Sequence, residues 1–161
     1  MIWTAHLLTG ALVASKIANP FLGIGASVLS HFVLDTIPHQ EYNIDRIRTK
    51  NWRKALPDIL KIAVDFSVGM GLILYFTKFN LFLAMAGLAA LIPDGLWFLY
   101  SFIWPKNRFL AETHNLHENK IHRKTYESAP SQGVFLRKAF TAWRICGQLI
   151  IALLAVILLA R

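Results

Sequence analysis

The chain has 161 residues, 55% of them hydrophobic and 16% charged, and a mean hydropathy of +0.45. That is too apolar for an ordinary soluble domain, and the length allows one compact domain, so the composition points to a single membrane-embedded unit. The net charge of +8 reads as loops facing anionic lipid and the cytoplasm rather than as a nucleic-acid surface, and the lone Cys146 excludes an internal disulfide.

Five membrane helices are predicted in chain order. The first covers residues 2–18; with no basic residue before Lys16, it reads as a retained helix and not a signal peptide. Asn19-Pro20 breaks the chain, and the second helix covers 21–37. Both are near the lower limit of about 17 residues for a span. The third covers 56–79 and the fourth 81–104, with a break expected at Pro93 in "IPDG". A polar segment, 105–132, precedes a fifth helix over 134–160, whose first part is basic (Arg137, Lys138, Arg144). Gly10, Gly23, Gly25, Gly69, Gly71 and Gly87 are expected to let helices approach closely. The expected fold is therefore all-α, a polytopic membrane bundle of about five helices.

Basic residues fix an expected orientation. If the N-terminus and the loops after the second and fourth helices share one side, that side carries twelve Lys and Arg: Arg46, Arg48, Lys50, Arg53, Lys54, Lys106, Arg108, Lys120, Arg123, Lys124, Arg137 and Lys138. The other side carries Lys16, Lys78 and Arg161. The positive-inside rule then makes the N-terminal side cytoplasmic.

Placed on this topology, His6, His31, Asp35, His39, Asp65, Asp94, His114, His117, Glu118 and His122 all fall in the cytoplasmic half. Each has an ordinary alternative. His6 suits a hydrogen bond to a carbonyl, Asp94 a helix cap, and Asp65 an ion pair with Lys61 one turn earlier. Asp58 suits the helix dipole. The pairs are harder to dismiss. His31-x3-Asp35 places imidazole and carboxylate on one helix face, and His114-x3-Glu118 does the same if its segment is helical. That donor set suits zinc or a related divalent ion, and a metal offsets the cost of burying these groups in hydrocarbon.

The pieces "HLLTG", "SHFVLDTIPH" and "LIPDG" resemble the predicted membrane-bound metal-dependent hydrolases, a family of small multi-helix bacterial and archaeal membrane proteins. That family's "PDxDH" and "HRGxTHS" stretches have only loose equivalents here, "LDTIPH" and "ETHNLHENKIHR". A more distant similarity, in ligand spacing alone, is to the zinc-dependent phospholipase C and single-strand nuclease superfamily. It would carry His31 and Asp35 to one ligand pair and His114 and Glu118 to another.

The resemblance implies a hydrolase in a prokaryotic cytoplasmic membrane, acting on a phospholipid or other lipid phosphate at the cytoplasmic leaflet. The expected metal ligands are His6, His31, Asp35, Asp94, His114 and Glu118, with His117 as a further ligand or its support. Asp65 or His39 is the expected general base, and Arg46, Arg48, Lys50 and Arg53 the expected head-group contacts. Two alternatives stay open: a proton or cation transporter using Asp65 and Asp94, and a non-enzymatic scaffold. Self-association also stays open. No phosphate-cradling glycine loop, serine elbow, H-E-x-x-H pair or CxxC occurs.

Overall fold

The computed structural model describes residues 1–39, 44–49, 52–115 and 134–161. Every regular element among them is helical. In order these are α1 (Trp3–Ser15), α2 (Pro20–Asp35), α3 (Asp45–Arg48), a 3-10 turn (Trp52–Lys54), α4 (Leu56–Phe76), α5 (Leu81–Ala89), α6 (Ile92–Phe102), α7 (Arg108–His114) and α8 (Val134–Leu159).

Local chemistry sets the boundaries. Asn19 starts α2: its Oδ1 accepts from the Phe21 and Leu22 amides, and Pro20 fills the first helical position, where no amide bond is needed. Asn80 and Asn107 cap α5 and α7 in the same way, through Leu83 N–H and Leu110 N–H. The fourth predicted helix is two helices, α5 and α6, bent by 49°. The break falls at Ala90-Leu91, ahead of Pro93, which sits in the first turn of α6.

Two helices, α4 and the Thr141–Leu159 part of α8, are long and apolar enough to cross a membrane, and a third span results if α5 and α6 count as one. The first two predicted helices are shorter than expected. α1 has 13 residues and α2 has 16, which is about 20 and 24 Å at 1.5 Å per residue, against a hydrocarbon core of about 30 Å.

α1 is the axis of the fold. It packs against α2, α4, α5 and α8 and is buried around most of its circumference, at Thr4, Ala5, His6, Leu7, Leu8, Gly10, Ala11 and Ala14. Small residues permit this. A Cβ at Gly10 would lie 2.6 Å from Ala90 Cβ, and one at Gly69 would lie 2.7 Å from Leu7 Cδ1. Gly25 and Gly71, expected to serve likewise, face open space. Ser27 Oγ donates to Gly10 O at 2.8 Å and ties α2 to α1. The outer faces of α4 and α8 present Leu60, Val64, Val68, Leu149, Leu153 and Leu154 to the surroundings, as lipid-facing helices do.

The N-terminus of α1 has no cap of its own, because Ile2 precedes it. Neighbouring helices supply one. Asp65 Oδ2 on α4 accepts from Thr4 N–H at 3.1 Å, and Gln148 Oε1 on α8 accepts from Ile2 N–H at 2.9 Å. Thr4 Oγ1 also donates to Asp65 O at 2.8 Å. These bonds satisfy amides that a helix start leaves open, and the carboxylate complements the helix dipole. Asp65→Ala is therefore expected to cost about 1–3 kcal/mol, read as a lower thermal midpoint, with bound metal unchanged. Loss of metal without loss of stability would contradict this capping role.

Candidate metal centre

The residues that meet at the cytoplasmically predicted end of α1 come from three elements. His6 is on α1, His31 and Asp35 are one turn apart on α2, and Asp94 is in the first turn of α6. The close α1–α2 contact brings His6 over His31: their rings stack with centroids 4.1 Å apart and planes 23° apart.

Asp35 is the hub. Its Oδ2 lies 3.0 Å from His31 Nε2, and its Oδ1 lies 3.3 Å from His6 Nε2, 3.4 Å from the amino group of Met1 and 3.8 Å from His39 Nε2. Asp94 Oδ1 reaches His31 Nε2 at 3.6 Å from the other side. His6 and His31 are fully buried, Asp35 and His39 are 1% exposed, and Asp94 is 23% exposed. His39 Nδ1–H donates to Ile37 O at 2.7 Å. In the neutral ring this leaves the Nε2 lone pair on the side facing Asp35, a tautomer often fixed this way in metal ligands.

One ligand atom each from His6, His31 and Asp35 lies within 4.8 Å of the others, so this buried group could hold a metal ion. Two donors about 2.0–2.1 Å from a tetrahedral ion sit roughly 3.3 Å apart; His6 Nε2 is 3.3 Å from Asp35 Oδ1 and His31 Nε2 is 3.0 Å from the other oxygen, Oδ2. His6 adds an independent sign. Both of its ring nitrogens are buried; Nε2 has the 3.3 Å approach to Asp35 Oδ1, and Nδ1 makes no hydrogen bond among the described residues, a cost of about 1–3 kcal/mol for a buried polar atom left open.

The other expected site residues have different surroundings. Asp65 engages Thr4 rather than Lys61 or the His6–His31–Asp35 group. Lys61 Nζ instead lies 3.5 Å from Asp58 Oδ1. Asp58, expected to complement the helix dipole, sits in the first turn of α4, is buried, and accepts from Arg46 N–H at 3.2 Å and from its guanidinium at 3.4 Å. Arg46 is thus partly committed to anchoring the 44–49 segment on α4. Arg53 lies on the exposed 3-10 turn. Lys50, His117, Glu118 and the side chains of Arg48 and His114 lie outside the described residues.

Sequence reasoning passed over Gln148. The available signal was its spacing four residues after Arg144, a polar pair on one face of an apolar helix. Both are buried, and Gln148 Nε2 donates to Arg144 O at 3.3 Å. Comparison with protein families, with curated proteins and with solved structures gives no match.

Proposed function

We propose that the chain is a membrane-embedded, metal-dependent hydrolase of the kind its "HLLTG", "SHFVLDTIPH" and "LIPDG" pieces resemble. In this reading it is a polytopic bundle with a cytoplasmic N-terminus, and its site works on an ester or phosphoester bond of a lipid at the cytoplasmic leaflet. The observation that carries the reading is the buried His6–His31–Asp35 group, whose donor atoms lie within 4.8 Å of one another, with His6 Nδ1 left open.

His6, His31 and Asp35 would hold a divalent ion, zinc by donor type, with Asp94 as the donor at the half-exposed edge. When bound, such an ion acidifies water and polarises a phosphoryl or acyl oxygen. His39 is placed to take the proton: it lies beside Asp35, with Nδ1–H held by Ile37 O. The stacked rings and the burial of Asp35 exclude bulk water from the donors. Asp65 is left to hold the start of α1. A transport path using Asp65 and Asp94 is less favoured, because Asp65 is bonded to Thr4 and Asp94 faces His31.

The test is metal analysis of the purified protein in lipid nanodiscs. The wild type is expected to carry about one zinc per chain, and His31→Ala to fall to background. Stripping the metal should abolish any hydrolysis of phospholipid vesicles. A wild-type chain that is metal-free and refuses added zinc would overturn the proposal.

A further inference from the structure

The metal group is sealed on most sides. His6, His31, Asp35 and His39 are at most 1% exposed, and only Asp94, at 23%, reaches the outside. Its location decides what can approach. Asp94 stands in the first turn of α6, directly after the 49° bend that turns α6 away from the line of α5. Beyond the bend, α6 packs mainly on α7 and keeps a smaller contact with α2. The partly exposed Asp94 side chain is thus where the group meets the outside, and the next residue, Gly95, faces outward from α6: a Cβ there would meet nothing within 4 Å.

The walls of that opening are apolar. Apart from Asp35 and Asp94, neither α2 nor α6 contains an Asp, Glu, Lys or Arg. Phe98 lies one turn beyond Asp94 on the same face and is 43% exposed. On α2, the Phe32 ring stands edge-on to His31 with centroids 5.6 Å apart. Among the described residues, the charges nearest in sequence after α6, Lys106, Arg108 and Glu112, stand exposed beyond the end of that helix, the last two on α7. The cations nearest this end of α4, Arg46 and Lys61, are gathered at Asp58.

We propose that the site opens sideways into the bilayer, between α2 and the first turn of α6, and that its substrate is an amphiphile arriving from the membrane. The inference rests on the hydrolase reading for its substrate, while the position of the mouth stands on geometry alone. The scissile bond would pass Asp94 to reach the His6–His31–Asp35 group, and the acyl or isoprenoid chain would stay against Phe98 and the lipid.

The experiment places a nitroxide at Gly95→Cys in a Cys146→Ser background, with the full chain in nanodiscs. References are Gly71→Cys, on the open face of α4, and Arg53→Cys, on the exposed 3-10 turn. Relaxation by oxygen, which concentrates in lipid, is expected to exceed relaxation by a water-soluble nickel chelate at Gly95, as at Gly71. A Gly95 label that behaves like the Arg53 label overturns the lateral mouth. Zinc content of the same samples separates the two readings. A lipid-facing Gly95 in a chain that takes up no zinc sinks the substrate assignment together with the hydrolase. A water-facing Gly95 in a zinc-loaded chain sinks the mouth alone.

Discussion

Asp35→Asn is expected to lower zinc affinity about 100-fold with a loss of stability, and Asp35→Ala to abolish binding and destabilise the chain further. The Asp35 carboxylate is approached by four buried nitrogens, from His31, His6, Met1 and His39, at 3.0 to 3.8 Å. Asparagine keeps the shape and one acceptor oxygen but loses the negative charge that a divalent ion requires. Alanine removes the acceptor altogether. Both variants leave the Met1 ammonium without its counter-charge, and removing one partner of a buried ion pair costs about 3–5 kcal/mol, but asparagine still offers that ammonium an acceptor oxygen. Zinc titration and thermal unfolding of the two variants separate the terms. Wild-type zinc affinity in Asp35→Asn would show that the group is only hydrogen-bonded packing.

What could be read beforehand follows the range of the interaction. His31 and Asp35 were legible because four residues on a helix guarantee one face. His6 was legible only as a polar residue on the correct side, since its stacking on His31 depends on how closely α1 meets α2. That approach depends in turn on the Ser27 hydroxyl's bond to Gly10 O and on Gly23, whose face lies against Ala14. The bond from Thr4 to Asp65 was not legible for the same reason. The nearby Lys61 offered a local partner, but the open amides at the start of α1 gave a long-range one, and burial favoured it. Asp58, read as complementing the helix dipole, does sit in the first turn of α4, but its burial under Arg46 is a long-range contact that the local pattern could not supply. The bend between α5 and α6 was announced by Pro93 but falls two residues earlier, because proline tolerates the first turn of a helix and breaks what precedes it.

The geometry of the metal group should respond to packing far from any ligand. Gly87→Val is expected to destabilise the chain by about 1–3 kcal/mol, at the upper end of that overpacking range, and to weaken zinc binding in parallel. A Cβ at Gly87 would lie 2.8 Å from Ile73 Cδ1 and 2.9 Å from Leu7 O. The Ile73 methyl can turn away. Leu7 O is backbone of α1, so relief there requires α1 to move away from α5. His6 is the neighbouring residue and moves with it, which alters its 3.3 Å approach to Asp35 and its stack on His31. Gly71→Ala is the matched control: its Cβ meets nothing within 4 Å, and replacing a mid-helix glycine should gain about 0.5–1 kcal/mol. Thermal unfolding and zinc titration of the pair measure both effects. If Gly87→Val unfolds and binds zinc like Gly71→Ala, α1 is not held by small-residue contact, and the placement of His6 must come from elsewhere.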